Sequence, residues 1–418
     1  MPDLFLLLAQ IVVVLLAARV CGRLMRRIGQ PQVVGEMVAG IALGPSLFGA
    51  LAPDTWAALF PAASLGFVNT LSQLGLILFM FLVGLELDTS SLRSRGRAAL
   101  IISSASIAAP FALGAALATV LHASLAPDGV NMTSFALFLG AAMSVTAFPV
   151  LARILEERGL MRSPLGSLAI ACAAVGDVSA WLILAVVVSI VRSGESVSLL
   201  LTFGGTLAYV GVMLTVGAWA LSRFGRRVSE SGTIAQGELA AVLIVVLVSA
   251  GITELLGIHA LFGAFLTGAV MPRDDRFRHA VSSRFEDLLV AFLLPLFFAF
   301  TGLRTQMGLM VADAGQLFAL AMILLVAVAG KFGGTAVAAR LTGMSWRGAS
   351  VLGALMNTRG LMELVILNIG LDIGVISPTL FAMMVFMAIA TTLITSPVVA
   401  RLSRGLADAR PVPSAPRV

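Results

Sequence analysis

Long apolar segments, separated by short polar ones, run through the whole chain. Each approaches or exceeds the roughly 20 residues that a helix needs to cross the hydrocarbon core of a bilayer. They are rich in Gly, Ala, Leu and Met and lack the polar alternation of membrane β-strands. The pattern predicts an all-α polytopic membrane protein with about thirteen transmembrane helices. These helices are expected near residues 3–21, 32–50, 64–87, 98–122, 132–155, 164–191, 198–222, 236–256, 258–271, 285–303, 312–340, 348–369 and 376–400.

One stretch of this pattern, 236–271, leaves two arrangements open. It fits two short helices that meet near Gly257, or one long bent helix. The remaining boundaries follow directly from where the apolar segments end.

Basic residues occupy alternate loops between the apolar segments. If the N-terminus is outside, most of the 27 Lys and Arg residues lie in inside loops, whereas Arg192 and Arg304 lie outside. Positively charged loops are retained on the cytoplasmic side of a membrane. We therefore expect the N-terminus outside, the C-terminus inside, and a short, Pro-rich, disordered cytoplasmic tail at 403–418.

The composition fits a membrane protein and excludes several other classes. Charged residues make up 11% of the chain, against about 25% in soluble domains. The net charge of +6 comes from loop arginines that orient the helices, so nucleic acid is not an expected partner. We find no nucleotide-binding loop, metal-ligand spacing or catalytic cluster, which predicts no cofactor and no enzymatic activity.

Two ionisable residues stand within apolar spans. Asp177 lies near the middle of the sixth span, and Lys331, the only lysine of the chain, lies in the eleventh. Such residues face a cavity or a partner, because charge is costly in hydrocarbon. Asp177 could bind a cation and a proton, or simply form a hydrogen bond between helices. Lys331 could take part in transport, or only pair with a carboxylate; Gly330, Gly333 and Gly334 beside it predict close approach of another helix.

The fifth span is interrupted by a polar segment. Ser144 and Thr146 precede Pro149, which lacks a backbone donor and disfavours helix at the residue before it. We expect a broken helix here, with free carbonyl groups near 144–146 beside two hydroxyl groups.

The twelfth span has a second interruption. It consists of Asn357, Thr358, Arg359 and Gly360, and Glu363 follows four residues after the arginine. That spacing predicts an Arg359–Glu363 ion pair on one helical face.

The two interruptions lie seven spans apart, so the segments that carry them run in opposite directions. Each is preceded and followed by another span, which makes spans 4–6 and 11–13 candidate inverted repeats. Paired broken helices in inverted repeats mark the substrate site of secondary transporters.

The motifs that carry these features resemble those of one family, the monovalent cation/proton antiporter superfamily. The likeness is to the branch of bacterial sodium/proton and glutathione-gated potassium/proton antiporters and plant cation/proton exchangers, and it covers nearly the whole chain. The motifs lie at 35–46, 79–88, 144–153, 294–304 and 357–370.

The resemblance implies a fold with two crossed broken helices and a homodimer in the inner (plasma) membrane, in which a core moves like an elevator against a dimerisation domain. We assign residues 1–402 to this exchanger domain, with core helices at about 64–191 and 312–400 and dimerisation helices at about 3–50 and 198–303. The resemblance also implies that Asp177 is the transport aspartate, Lys331 the core lysine and Thr146 the threonine of the first broken helix.

The sequence therefore predicts exchange of K⁺ or Na⁺ for protons at Asp177. Thr146, Ser144 and carbonyl groups of the breaks would add oxygen ligands, and Arg359 and Glu363 would neutralise half-helix ends. Many electrogenic family members carry two adjacent aspartates, and many others carry asparagine then aspartate, where this chain has Gly176-Asp177. One titrating carboxylate favours electroneutral exchange, whereas a lysine that also releases a proton would permit electrogenic exchange. A cation channel, a sodium-coupled solute symporter and a transport-dead sensor remain as alternatives.

Overall fold

The structure is a computed structural model, and its described part is helical. It contains α-helices with a few 3₁₀ and π-helical turns, and no strand among the described residues. Most of the predicted loop between the spans at 64–87 and 98–122, and the predicted tail beyond Ser403, lie outside the described part. The described residues are 4–86, 96–158, 160–161, 163–192, 196–231, 234–257, 259–272 and 274–403.

Twenty α-helices, numbered in chain order, make up the described fold. They are α1 (Leu4–Arg27), α2 (Gln32–Leu43), α3 (Phe48–Leu51), α4 (Pro53–Leu59), α5 (Ala62–Glu86), α6 (Gly96–Leu125), α7 (Met132–Ser144), α8 (Phe148–Glu157), α9 (Pro164–Arg192), α10 (Ser196–Val212), α11 (Ala218–Ser231), α12 (Gln236–Leu255), α13 (Ala260–Val270), α14 (Asp275–Leu288), α15 (Leu294–Leu303), α16 (Ala314–Val328), α17 (Gly334–Leu341), α18 (Trp346–Met356), α19 (Leu361–Asp372) and α20 (Pro378–Leu402). The π-helical turns Met213–Gly217, Leu289–Leu293 and Ala329–Gly333 join α10 to α11, α14 to α15 and α16 to α17.

Ten described helical segments are long and apolar enough to cross a membrane, and the bent pair α18–α19 makes an eleventh. The predicted segments 132–155 and 258–271 consist of shorter helices. With 11 residues, α13 extends about 16 Å at 1.5 Å per residue, roughly half of the hydrocarbon thickness. The multi-pass membrane fold is confirmed, whereas the count of thirteen spans and the orientation of the termini stay predictions.

The stretch 236–271 forms two helices rather than one bent helix. The chain turns at Gly257, whose φ of 82° is a left-handed conformation that glycine adopts without strain. The hydroxyl of Ser249 on α12 donates to the carbonyl of Gly263 on α13 at 2.7 Å. The first of the two predicted arrangements is therefore correct.

The tenth predicted span begins earlier than the apolar pattern indicates. A helix starts at Asp275, where the Asp274 side chain accepts a hydrogen bond from the Arg276 backbone N–H at 2.7 Å. Its charged residues are mostly exposed, while Phe277 and Phe285 are buried. The predicted loop before residue 285 was wrong because an N-capped amphipathic turn extends the apolar helix.

The chain divides into two compact units. The first comprises Met1–Arg23, Gly35–Asp88 and Ala185–Thr305, and the second comprises Leu24–Val34, Thr89–Leu184 and Gln306–Val418.

Within the first unit, α5 and α13 pack closely through two glycines. A Cβ atom at Gly84 would overlap the carbonyl of Phe265, and one at Gly268 would overlap the carbonyl of Phe81. Small residues allow such backbone contact between membrane helices. This packing places α5 in the first unit, although the sequence grouped it with the core helices; the assignment of dimerisation and transport to separate domains stays a prediction.

The second unit contains the broken helices. In it, a long helix, a broken helix and a long helix follow one another twice, as α6, α7–α8 and α9, and as α16–α17, α18–α19 and α20. A buried apolar cluster that includes Leu151, Ile154, Leu352, Leu355 and Val399 joins these elements. The packing holds both breaks in the interior of one unit.

Candidate functional site

The two helix breaks lie directly against each other. Residues 145–147 separate α7 from α8, and residues 357–360 separate α18 from α19, which are bent by 44°. The backbone N–H of Ala147 in the first break donates to the carbonyl of Thr358 in the second at 3.0 Å. This bond satisfies one backbone donor of the first break and one carbonyl of the second, as non-helical backbone at membrane depth requires.

The local sequence explains where each helix ends. Pro149 is the second residue of α8, a first-turn position at which the missing backbone donor costs nothing. In the second break, the Thr358 hydroxyl donates to the carbonyl of Leu355 at 2.8 Å and satisfies one carbonyl at the end of α18. The chain then resumes at Leu361.

Arg359 binds the C-terminal end of the facing half-helix. Its guanidinium donates to the carbonyls of Ala142 at 3.2 Å and Met143 at 3.0 Å, in the last turn of α7. It also donates to Glu363 Oε1 at 2.9 Å, and both side chains are fully buried. A cation is favourable at a helix C-terminus and an anion in a first turn, so the pair neutralises the ends of two different half-helices.

Lys331 lies in the π-helical turn between α16 and α17 and is completely buried. Its ammonium donates to the carbonyl of Ser106 at 3.0 Å and to Thr146 Oγ1 at 2.7 Å, with Ser106 Oγ at 3.5 Å. Neutral oxygen atoms of α6 and of the first break therefore surround this charge.

Thr146 connects the lysine to the end of α18. Its hydroxyl accepts from Lys331 and donates to the carbonyl of Met356 at 3.2 Å. Lys331 is therefore linked to the C-terminal end of α18 through one hydroxyl group, whereas Arg359 donates directly to carbonyls at the end of α7. A cationic side chain thus stabilises the C-terminus of each half-helix.

Asp177 lies on α9 and is 5% exposed. The Lys331 ammonium exerts the electrostatic attraction that acts on this carboxylate. Among the residues that the structure describes, no group forms a hydrogen bond with Asp177 Oδ1. A buried carboxylate oxygen without a partner is costly, and it is available to a proton or a cation.

Two other predicted site residues differ in their hydrogen bonding. The Ser144 hydroxyl donates to the carbonyls of Gly140 at 2.7 Å and Ile107 at 3.1 Å, which joins α7 to α6. Asn357 is 6% exposed, and its Oδ1 has no hydrogen-bond partner within the described part of the chain.

The sequence did not identify two hydroxyl residues of the site, and it predicted close helix approach at one glycine where the structure shows none among the residues it describes. Ser106 contacts Lys331, and Thr392 on α20 fixes the Arg359 backbone by accepting from its N–H at 3.0 Å and donating to its carbonyl at 2.7 Å. Of the predicted close-approach glycines, Gly330 and Gly334 face α6, but no described atom lies within 4 Å of a Cβ built at Gly333.

Comparison with known proteins gives a consistent family. A family model described as sodium/hydrogen exchanger, transmembrane, matches residues 11–404. The chain is 44% identical to the Na⁺/H⁺ antiporter NhaS4 of Synechocystis sp. over 96% of its own length and 97% of that protein.

Eukaryotic relatives are longer. Cation/H⁺ antiporter 18 of Arabidopsis thaliana is 42% identical over 94% of this chain and 48% of its own length. The K⁺/H⁺ antiporter 1 of Saccharomyces cerevisiae is 35% identical over 88% of this chain and 43% of its own length. The chain thus spans about half the length of these two relatives.

A solved structure shares the fold. The sodium proton antiporter MjNhaP1 of Methanocaldococcus jannaschii superimposes with a TM-score of 0.63 over 97% of this chain and 99% of that chain, at 16% identity.

Proposed function

The chain belongs to the transmembrane sodium/hydrogen exchanger family, and on that premise we propose that it binds its cation and its proton alternately at Asp177. At the level of the family it is a membrane-embedded monovalent cation/proton antiporter and not an enzyme. The observation that carries the proposal is the buried Asp177 carboxylate, whose Oδ1 has no partner in the described part of the chain.

Competition at one carboxylate couples the two fluxes. An ionised carboxylate without a ligand is costly at membrane depth, so the site crosses only when a proton or a cation is bound at Asp177. A proton and a monovalent cation each add one positive charge at this carboxylate. The loaded site therefore carries the same charge with either ligand, which supports one-for-one, electroneutral exchange.

Lys331, Arg359 and Glu363 have supporting roles in this proposal. The ammonium is held by Ser106 and Thr146, and the guanidinium by Glu363 and the end of α7. These contacts keep the crossing half-helices in place and leave Asp177 as the exchanging group.

The movement that we propose is of the elevator type within a homodimer. All the site residues belong to the second compact unit, so that unit could carry the site as one body. The dimer would be formed by the first unit, as the family resemblance implies.

The transported ion is K⁺ or Na⁺. Relatives of this chain bear the names of a Na⁺/H⁺ antiporter, of cation/H⁺ antiporters and of a K⁺/H⁺ antiporter, so both ions belong in the assay.

The test is cation-driven proton movement in proteoliposomes. Na⁺ and K⁺ are added in turn to wild-type protein and to Asp177→Asn, with Asp287→Asn, an exposed carboxylate, as the matched control. We expect proton movement in the wild type and the control, and none in Asp177→Asn. Cation flux without proton movement in the wild type would instead support a channel or a symporter.

A further inference from the structure

Three buried side-chain oxygen atoms close to the helix crossing lack a hydrogen-bond partner among the residues that the structure describes: Asp177 Oδ1, Asn357 Oδ1 and Glu363 Oε2. The other oxygen of Glu363 pairs with Arg359 at 2.9 Å, whereas Asp177 and Asn357 have no such ion pair in the described part of the chain. Asp177 and Asn357 are 5% and 6% exposed. Buried polar atoms are nearly always paired, so the unpaired oxygen atoms of these two residues in one region indicate a ligand.

Contacts within the crossing, together with the charge of Lys331, relate the two residues. Asn357 follows Met356, whose carbonyl accepts from Thr146 at 3.2 Å. Thr146 in turn accepts from Lys331 at 2.7 Å, and Lys331 is the cation whose charge acts on Asp177. The amide therefore belongs to the same polar region of the second unit as the carboxylate.

The hydroxyl groups beside the first break are already engaged. The hydroxyl of Thr146 both accepts and donates within the crossing, and the hydroxyl of Ser144 is directed to the carbonyls of Gly140 and Ile107. The carboxylate of Glu363 already has a counterion, because it pairs with Arg359 at 2.9 Å. The side-chain oxygen of Asn357 has no such partner in the described part of the chain and can approach a cation.

We propose that Asn357 Oδ1 is a ligand of the transported cation, together with Asp177, and that it contributes to the choice among monovalent cations. This inference rests on the proposed function and names a further specificity-determining residue for it. Neutral carbonyl-type oxygen suits hard cations, whereas a proton needs only the carboxylate. Asn357 should therefore affect cation binding and not the binding of the competing proton.

The experiment uses three variants and one control. Asn357→Leu keeps roughly the volume and removes the oxygen, Asn357→Ala removes the whole amide, and Asn357→Asp keeps an oxygen. Asn368→Ala is the control, because this buried asparagine on α19 donates to the carbonyl of Leu364 at 2.9 Å in its own helix. Proteoliposome flux gives KM and kcat for Na⁺ and K⁺, and melting of the purified full-length protein in NaCl, KCl and choline chloride gives cation binding.

We expect Asn357→Leu and Asn357→Ala to raise the cation KM roughly tenfold or more, as for loss of a contact to a charged group, with a changed Na⁺ to K⁺ ratio. The saturated rate should change little, and the stabilisation by NaCl or KCl over choline chloride should be reduced. Asn357→Asp should retain that stabilisation, and Asn368→Ala should behave as wild type in both assays. If Asn357→Ala does not fold, the volume-matched leucine variant carries the comparison.

The outcomes separate this inference from the proposed function. Wild-type KM values for both cations and full salt stabilisation in Asn357→Leu would overturn the role of Asn357 and leave exchange at Asp177 standing. Cation stabilisation that is lost in Asn357→Leu, with no proton flux in the wild type, would support the ligand and reject antiport. No salt stabilisation and no flux in the wild type would reject both.

Discussion

Replacing Thr146 with valine removes one hydroxyl from the centre of the crossing and keeps nearly the same volume. In the native chain this hydroxyl accepts from Lys331 at 2.7 Å and donates to the Met356 carbonyl at 3.2 Å, and the residue is 1% exposed. The variant therefore leaves a buried ammonium with one acceptor fewer and a helix-end carbonyl without this donor.

The magnitude follows from the two lost bonds. A hydrogen bond to a charged group contributes about 1.5–3 kcal/mol, and a buried polar group left unpaired costs about 1–3 kcal/mol. Lys331 keeps its bond to the Ser106 carbonyl at 3.0 Å, which limits the loss. We expect Thr146→Val to lower the free energy of unfolding by about 3 kcal/mol and to slow exchange.

The assay is equilibrium unfolding in mixed micelles, beside the flux measurement. Thr335→Val is the matched control, because this threonine on α17 is also fully buried but its Oγ1 has no partner among the described residues. Removing an unpaired hydroxyl should be neutral or slightly stabilising. Equal effects of the two substitutions, or wild-type stability in Thr146→Val, would refute the bridging role of this hydroxyl.

Three further predictions concern the same unit. Arg359→Met and Glu363→Gln should each destabilise the protein by about 3–5 kcal/mol, because each leaves a buried charge unpaired; the double variant should lose clearly less than the sum, and additivity in a double-mutant cycle would contradict the pairing. Gly330→Ala should cost about 1–3 kcal/mol, since its Cβ would lie 2.7 Å from a backbone atom of Pro110; Gly333→Ala, with no described atom within 4 Å, should leave the unfolding free energy unchanged or raise it. Lowering the pH should raise the apparent KM for the cation and leave the saturated rate unchanged in flux assays, because protons and cations compete for one carboxylate; a falling saturated rate with constant KM would contradict competition.

The membrane fold and the two breaks could be read from the sequence because each leaves a strong local signal. Long apolar segments are incompatible with a soluble core, and Pro149 and the Asn357–Gly360 segment interrupt such segments visibly. The family inferred from these motifs is confirmed by the match over residues 11–404. Charged residues in apolar spans, such as Asp177 and Lys331, are equally conspicuous.

Partners that lie far apart in the chain were harder to predict. Hydroxyl residues are common in these helices, so nothing in the sequence distinguishes Ser106 or Thr392 from their neighbours. Their roles depend on helix register and on contacts over 225 and 33 residues of separation. The same limit explains why Gly333 does not make the close approach that its sequence neighbourhood predicts.

The start of one helix and the unit to which another helix belongs were also hard to predict, because both depend on packing. The start of α14 at Asp275 was hidden by charged residues that lie on the exposed face of an amphipathic turn. The place of α5 in the first unit follows from the glycine contacts with α13, which no local pattern reveals. Arg359 was expected to pair with Glu363, but its bonds to the end of α7 required the crossing of the two breaks.

Proton release on cation binding is a direct test of exchange at Asp177. Purified wild-type protein and Asp177→Asn, in weakly buffered detergent solution at a pH where the site is protonated, receive NaCl, KCl or choline chloride while the pH of the solution is followed. We expect release of up to one proton per bound Na⁺ or K⁺ from the wild type, none with choline, and none from Asp177→Asn. Cation binding without proton release in the wild type, or unchanged release in Asp177→Asn, would contradict exchange at this carboxylate.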